Sequence, residues 1–481
     1  MFCALIGHNW LNEVQTVSQI FFANEGFTLA DGPVNQGFTL VSARGFTEIY
    51  RDGFLIARAE NPFIPPMDGI SGEKRQKGSI QKGVFLACGQ VVPITPPWGM
   101  QVGVRPTKMA HELYKQGFDE EQIRRVLVDF YLVSEKKAAL CLEVFEAEKR
   151  FLKDADKYVS LYIGVPFCTS RCLYCSFSAY TLKQYGKHTD AYTGALVKEL
   201  KAAEPLLRRN RVQTVYVGGG TPTSLTEAQL ERVLSAVAEI CDVPALAEFT
   251  VEAGRPDSIT PGKLDVLKRF GVGRVSVNPQ TLKDGTLRVI GRSHSAADFY
   301  AAYETAEKRG FLLNTDLIMG LPGETVDDTR YTMEKILELS PGNVTLHTLA
   351  VKRASMLRES LSEADGADFP RTETASAQLD LADELCRRAG YAPYYMYRQK
   401  NIAGNLENAG YSKPGGECVY NIQMIGDRQS IIAFGAGAAS KLYIPERNLV
   451  RRAYNVKAPV DYIARIDEMT ERKKKLYEYA F

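Results

Sequence analysis

Residues 158–177 read YVSLYIGVPFCTSRCLYCSF. The first eight form a run rich in β-branched and aromatic side chains, the signature of a buried strand. The next segment places three of the chain's nine cysteines at the spacing Cys168-x3-Cys172-x2-Cys175. The other six, Cys3, Cys88, Cys141, Cys241, Cys386 and Cys418, are scattered through apolar or amphipathic segments and read as reduced, buried small residues. An odd number of clustered thiols argues against a disulfide knot. A tetrahedral zinc site wants a fourth ligand at similar reach, and the next histidine, His188, lies thirteen residues beyond Cys175. Three thiolates with one coordination position left open fit the spacing better.

The chain around this segment has 481 residues, enough for two or three domains, and an ordinary share of apolar (45%) and charged (24%) residues. Lysine plus arginine (59) nearly balances aspartate plus glutamate (57), so there is no global basic footprint for nucleic acid. The start, MFCALIGHNWLNEV, has no basic region before an apolar run and reads as no signal peptide. No apolar stretch approaches the ~20 residues of a membrane span. A cytoplasmic location is the expectation.

Downstream, five more strand-like runs follow: TVYVGG (214–219), EFTVEA (248–253), GRVSVNP (273–279), LNTDLIM (313–319) and NVTLHTLAV (343–351). Segments of helical period separate them, among them one that starts at Thr226 as N-cap and carries Leu230, Val233, Leu234 and Val237 on one face. Six β-α units predict a parallel sheet wound as a partial barrel; a doubly wound open sheet is the alternative. The unusual residues sit where strands end. The cysteine loop follows the first strand, GGGTPT (218–223) the second, and Glu252 closes the third. Gln280 follows the fourth, Asp316 lies in the fifth, and GLPGE (320–324) comes after it. In a barrel these loops share one rim, where active sites are built.

Residues 1–150 read as an α+β module, with Asp52-Gly53 as a hairpin turn and a capping-box start at Asp119 and Gln122 ahead of an Ile123, Val126, Leu127, Phe130, Tyr131 stripe. Residues 151–370 form the barrel. Residues 371–481 form a carboxyl-terminal α/β extension expected to cover its mouth, with a Gly/Asn-rich loop over 404–416 and a final helix whose lysine run reads as a solvated face.

The Cys-x3-Cys-x2-Cys loop after a first barrel strand resembles the radical S-adenosylmethionine superfamily. The segments YIGVPFC, GGGTPT, TVEAGRPD, SVNPQTL, IGRSH, DLIMGLPGET and FGAGAASKL resemble, more narrowly, its oxygen-independent coproporphyrinogen III oxidase group. PWGMQVGVRPTK and YRQKNIAGNLENAGYSKPG are similar to that group's HemZ-type branch. The resemblance implies a radical-SAM partial (β/α)6 TIM-like barrel. In it, Cys168, Cys172 and Cys175 would ligate a 4Fe–4S cluster whose open iron binds S-adenosyl-L-methionine. Tyr162, Tyr174, Gly219, Gly220, Thr221 and Glu252 would contact that cofactor; Gln280, Arg292 and Asp316 would complete the sites, for one or two molecules. The implied reaction is oxidative decarboxylation of coproporphyrinogen III to protoporphyrinogen IX, with Tyr162 at the reacting centre.

The substrate's carboxylates call for cations, and the candidates are Arg353 and Arg398, with Lys400 beside the latter. Implied partners are the porphyrinogen and a flavodoxin or ferredoxin donor, the chain acting as a monomer. Two departures stand out: Gly164 replaces the group's usual histidine before the loop, and Phe177 stands where some members carry a further cysteine. They leave open a haem-binding chaperone, and a radical enzyme of another tetrapyrrole. His294 and His347 could carry protons or be satisfied structural histidines. Trp98 reads as packing between domains.

Overall fold

The computed structural model describes all residues except 23–25, 67–69, 176–178, 351–371, 400–402 and 479–481. The chain packs as two units, Met1–Phe145 with Met396–Glu407, and Glu146–Tyr395 with Asn408–Phe481. This differs from the three consecutive segments expected from sequence. Residues 396–407 belong with the first unit, while the later strands extend the barrel's own sheet.

The first unit holds a five-stranded sheet of β1 (Phe2–Ile6), β2 (Thr28–Leu29), β3 (Phe38–Ala43), β4 (Phe46–Arg51) and β5 (Phe54–Glu60), in the order β2-β1-β3-β4-β5. Asp52 and Gly53 both take positive φ (51° and 83°), the backbone that a two-residue hairpin turn requires. Val14 and Val17 of helix Leu11–Phe21 and Ile80, Val84 and Ala87 of helix Gly72–Val91 close one core with Leu40 and Ile49 of the sheet. The capping box at Asp119 and Gln122 forms, and Ile123, Val126, Leu127 and Phe130 are buried. Segment 396–407 is held by buried polar bonds. Glu407 accepts from Trp98 Nε1 (2.6 Å) and pairs with Lys137 (2.5 Å). Trp98 is therefore an anchor inside this unit.

The second unit is built on eleven strands. β6 (Val159–Val165) is followed by the short β7 (Phe167–Cys168) and β8 (Tyr180–Thr181), which pair only with each other. Next come β9 (Val212–Gly219), β10 (Glu248–Glu252), β11 (Arg274–Ser276), β12 (Leu312–Met319) and β13 (Asn343–Thr348). The last group is β14 (Ala392–Tyr397), β15 (Asn408–Ser412), β16 (Ser430–Phe434), β17 (Ala439–Ile444) and β18 (Leu449–Tyr454). The order is β14-β15-β13-β12-β11-β10-β9-β6-β16-β17-β18. From β6 to β13 neighbours in space are neighbours among the βα units, all parallel. A doubly wound sheet would reverse that order at a switch point. The partial barrel is therefore the fold, flanked by β16 parallel to β6 and by β15 antiparallel to β13. β15 replaces the loop expected over 404–416. β11 is shorter than its apolar run because Pro279 has no N–H and Gln280 turns to φ 70°.

At the strands' amino ends, the helix Val419–Gly426 and the residues before it close the barrel. Glu248 accepts from Val419 N (2.7 Å) and Cys418 Sγ (3.2 Å). Arg274 donates to Asn314 Oδ1 (2.8 Å), Gly416 O (2.9 Å) and Glu417 O (2.7 Å), and lies 3.6 Å from Glu248. The final helix, Ile466–Glu478, corrects the reading of its lysine run. Lys473 is buried and bonds Glu199 (2.6 Å), whose carboxylate also accepts from Gly435 N and Asn455, while Lys474 and Lys475 are exposed. No helix among the described residues is long and apolar enough to cross a membrane.

Removing one partner of a buried ion pair leaves the other charge stranded. Arg274→Met is expected to destabilise the second unit by about 3 kcal/mol, read as an earlier urea transition.

Candidate active site

The register of β6 against β9 builds the rim. Gly164 pairs with Gly218 and Val165 with Gly219, so the start of the cysteine loop runs alongside the glycines. Gly220 N donates to Val165 O (2.8 Å) and Thr221 N to Phe167 O (2.7 Å). A Cβ on Gly220 would lie 2.6 Å from Phe167 O and 3.0 Å from Cys168 Sγ, so only glycine permits the approach. Thr221 Oγ1 donates to Cys168 Sγ at 3.5 Å. The second β-loop thus grips the first cysteine.

None of the nine cysteines is in a disulfide, and Cys168 and Cys172 are buried while Cys175 is partly exposed. Cys172 faces two buried arginines. Arg255 donates to its Sγ at 3.3 Å and Arg292 at 3.9 Å. Burial raises the Cys172 thiol pKa, but the Arg292 and Arg255 charges outweigh it and hold the pKa below the usual value. Burial pushes Cys168 up to about 11. Arg255 is further fixed by Asp257 (3.0 Å) and by the Ser170 carbonyl and hydroxyl. Arg292 donates to Gly254 O (3.1 Å) and Asn278 O. Leu173 and Tyr174 pack on Leu287, Ile290, Ile318, Leu321 and Leu349, which anchors the middle of the loop to the barrel.

Deeper in the barrel, Tyr162, Tyr216 and Tyr420 stack, with Tyr216 and Tyr420 4.4 Å apart between centroids and Tyr162 6.4 and 6.2 Å from them. Tyr216 hydroxyl donates to Glu252 (2.6 Å), whose other oxygen accepts from Gly219 N (3.2 Å). Burial raises the Glu252 carboxyl to about 7, against the lowering effect of the Tyr216 bond. Asp316 accepts from Asn278 Nδ2 (2.8 Å) and lies 3.7 Å from His347 Nε2. Gln280 takes a left-handed backbone, is tied to β12 by Gln280 N to Asp316 O (3.1 Å), and buries its Oε1 with no hydrogen bond. An orphaned buried acceptor beside a rim of this kind suits a ligand's donor. His294 is buried with neither ring nitrogen bonded, and burial lowers its pKa to about 4.

The structure thus gathers Tyr162, Tyr174, Gly219, Gly220, Thr221, Glu252, Gln280, Arg292, Asp316 and the three cysteines at the strands' carboxyl ends or just inside them. Sequence reasoning missed Arg255, Asp257, Asn278, Tyr216 and Tyr420. The first three lie in the EAGRPD and SVNPQ segments, at rim positions that their place after a strand already marked. Arg353, Lys400 and Phe177 lie outside the described residues. Arg398 does not join the rim set. It belongs to the first unit, almost fully buried, with its guanidinium bonded to Gln101 O and Asn405 and its charge 5.4 Å from the Trp98 ring.

The donor set fits a cluster. Among the described residues no His, Cys, Asp and Glu converge closely enough to hold one metal ion. A cluster has less need of such convergence, because it takes its thiolates on separate irons. Gly220→Ala is expected to cost about 1–3 kcal/mol of stability by overpacking, and to leave anaerobically reconstituted protein with a minor share of the parental iron. The Glu252 shift has a sign as well. A carboxyl raised in the fold stabilises below its unfolded value, and that contribution is lost as pH rises through about 7. The stability difference between the parent and Glu252→Gln should therefore move against the parent from pH 5 to 8 in urea titrations.

Residues 162–336 match the Radical SAM superfamily. The oxygen-independent coproporphyrinogen-III oxidase-like protein HemZ of Bacillus subtilis is 37% identical over 427 residues, which span 87% of this chain and 84% of that protein. The heme chaperone HemW of Lactococcus lactis is 31% identical over 67% of this chain and 80% of its own. Coproporphyrinogen III oxidase (HemN) from Escherichia coli shares the fold, with a TM-score of 0.54 at 23% identity over 69% of this chain and 73% of that one. Proteins of this family use a 4Fe–4S cluster and S-adenosylmethionine. By this likeness across most of its length, the chain belongs to the radical S-adenosylmethionine superfamily and, within it, to the HemZ-type branch of the oxygen-independent coproporphyrinogen III oxidase group.

Proposed function

We propose that this chain converts coproporphyrinogen III to protoporphyrinogen IX without oxygen, by oxidative decarboxylation of two propionate side chains. The observation that carries the reading is the 37% identity to the coproporphyrinogen-III oxidase-like relative across 87% of the chain. When bound, the cluster and S-adenosylmethionine would supply the radical chemistry for removing a β-hydrogen from each propionate; each decarboxylation to a vinyl group would release carbon dioxide and pass one electron to an external one-electron acceptor.

The chain's own part is holding and shaping. Cys168, Cys172 and Cys175 ligate three irons. The bare backbone at Gly219 and Gly220, with Thr221, lets the cofactor approach its edge. Glu252 and Tyr162 orient it from inside the barrel, over the floor made by Tyr216 and Tyr420. Gln280 presents an acceptor with no internal partner, and Asp316, held by Asn278, presents a second. Arg292 carries positive charge between these groups and Cys172. Arg353 remains the candidate for a substrate carboxylate. Arg398, committed inside the first unit, is not proposed for that role. The protein would act in the cytoplasm as a monomer, with a flavodoxin or ferredoxin as donor.

A second reading has its own support, since the chain is 31% identical to a heme chaperone over 80% of that protein. One anaerobic experiment separates them. The protein is reconstituted, reduced and given S-adenosylmethionine and coproporphyrinogen III, and 5′-deoxyadenosine and porphyrins are quantified by mass. Protoporphyrinogen formed with two cofactors cleaved per product, and abolished in Cys172→Ala, is the expected result. Cofactor cleavage without decarboxylation keeps the radical enzyme and rejects this substrate. Intact cluster with no cleavage, together with stoichiometric haem binding, rejects the enzyme in favour of the chaperone.

A further inference from the structure

Arg255, in the segment after β10, is a buried cation that packs against the cysteine loop and that the reaction itself does not call for. Its guanidinium is 3% exposed and uses its donors on four acceptors: Asp257, the Ser170 carbonyl, the Ser170 hydroxyl and Cys172 Sγ. Asp257 in turn accepts from Thr169 Oγ1 at 2.7 Å. The pair therefore ties down Thr169 and Ser170, two of the three residues between Cys168 and Cys172. With Arg292 3.9 Å from the same sulfur, two cations face Cys172 and one carboxylate, Asp257, offsets them.

We infer that Arg255 sets the reduction potential of the cluster that Cys172 helps to hold, with Asp257 as its counterweight. The inference rests on the reading of Cys172 as a cluster ligand. Reduction adds one negative charge to the cluster. A hydrogen bond to a ligating sulfur and a fixed positive charge beside it both favour the more negative state, so they raise the potential. Burial leaves that charge weakly screened. Arginine cannot release its proton at any working pH, so the effect is permanent. Asp257 holds the guanidinium in place but cancels part of its field.

These opposite effects separate an electrostatic role from a merely structural one. If the pair were only a latch, breaking it from either side would loosen the same loop and move the cluster the same way. An electrostatic role requires shifts of opposite sign. The test is an EPR-monitored redox titration of the full-length, anaerobically reconstituted protein, with iron and sulfide measured on each sample. In Arg255→Gln the ratio of reduced to oxidised cluster at a fixed poise should fall roughly tenfold, the scale of one hydrogen bond to a charged group. In Asp257→Asn, which keeps an acceptor for Thr169, the ratio should rise. Equal potentials, or shifts of the same sign, overturn the inference while leaving the cluster assignment intact. Should Arg255→Gln hold no cluster, Asp257→Asn alone decides, and a fall or no change there overturns it. A parent protein that assembles no cluster removes the assignment and the inference together.

Discussion

Two backbone bonds, Gly220 N to Val165 O and Thr221 N to Phe167 O, join the end of β9 to the beginning of the cysteine loop. They form only because residue 220 carries no side chain, which would collide with Phe167 O and Cys168 Sγ. Everything at the rim inherits this constraint. The parallel register fixes Val165 beside Gly219, the loop leaves β6 at a defined height, and Cys168 arrives under Thr221. Glu252 then reaches Gly219 N from the next strand, so the third unit is measured against the second. A site assembled from six strand ends needs one such fixed point, and a close backbone approach supplies it at low entropic cost to side chains.

Charge at the site is arranged by depth. Near the loop, Arg255 and Arg292 face Cys172 and favour its thiolate, the form that binds metal. Below them Glu252, raised to about 7 by burial, and Asp316, held by Asn278, bring in carboxyl groups from β10 and β12. Lower still, the stacked Tyr162, Tyr216 and Tyr420 fill the interior with aromatic surface, and Arg274 with Glu248 seals the far end. At the strands' amino ends the barrel is thus plugged by its own carboxyl-terminal segment.

Much of this was legible in the sequence because it is local. Strand periodicity located all six barrel strands, Thr226 caps its helix as its side chain suggests, and Asp52-Gly53 turns where its backbone preference says it must. Motifs after strands marked the rim for the same reason. The misses are long-range. Nothing near residues 396–407 announces that Glu407 will meet Trp98 and Lys137, 270 and more positions away. Lys473 looks like its exposed neighbours until Glu199 appears beneath it. Arg398 answers in sequence only to the substrate's need for a cation, and its buried bonds to Gln101 O and Asn405 are equally long-range or loop contacts that no periodicity marks. Arg255 was overlooked because an arginine between glycine and proline carries no periodic signal of its own.

The buried charges bear on what the fold is for. Arg255, Arg292 and Glu252 each lose hydration at the rim, and apolar side chains of similar volume commonly hold a scaffold as well or better. Groups with shifted pKa values gather where chemistry needs a particular charge at a particular atom. Here the charges are not spread around the cavity. The arginines converge on Cys172, while Gln280, with a left-handed backbone, keeps its side-chain oxygen buried and unbonded. Left-handed strain at Gln280 and desolvated charge at Arg255, Arg292 and Glu252 thus gather at the loops that follow the barrel strands or at their ends, where a ligand can be met by groups already held in place.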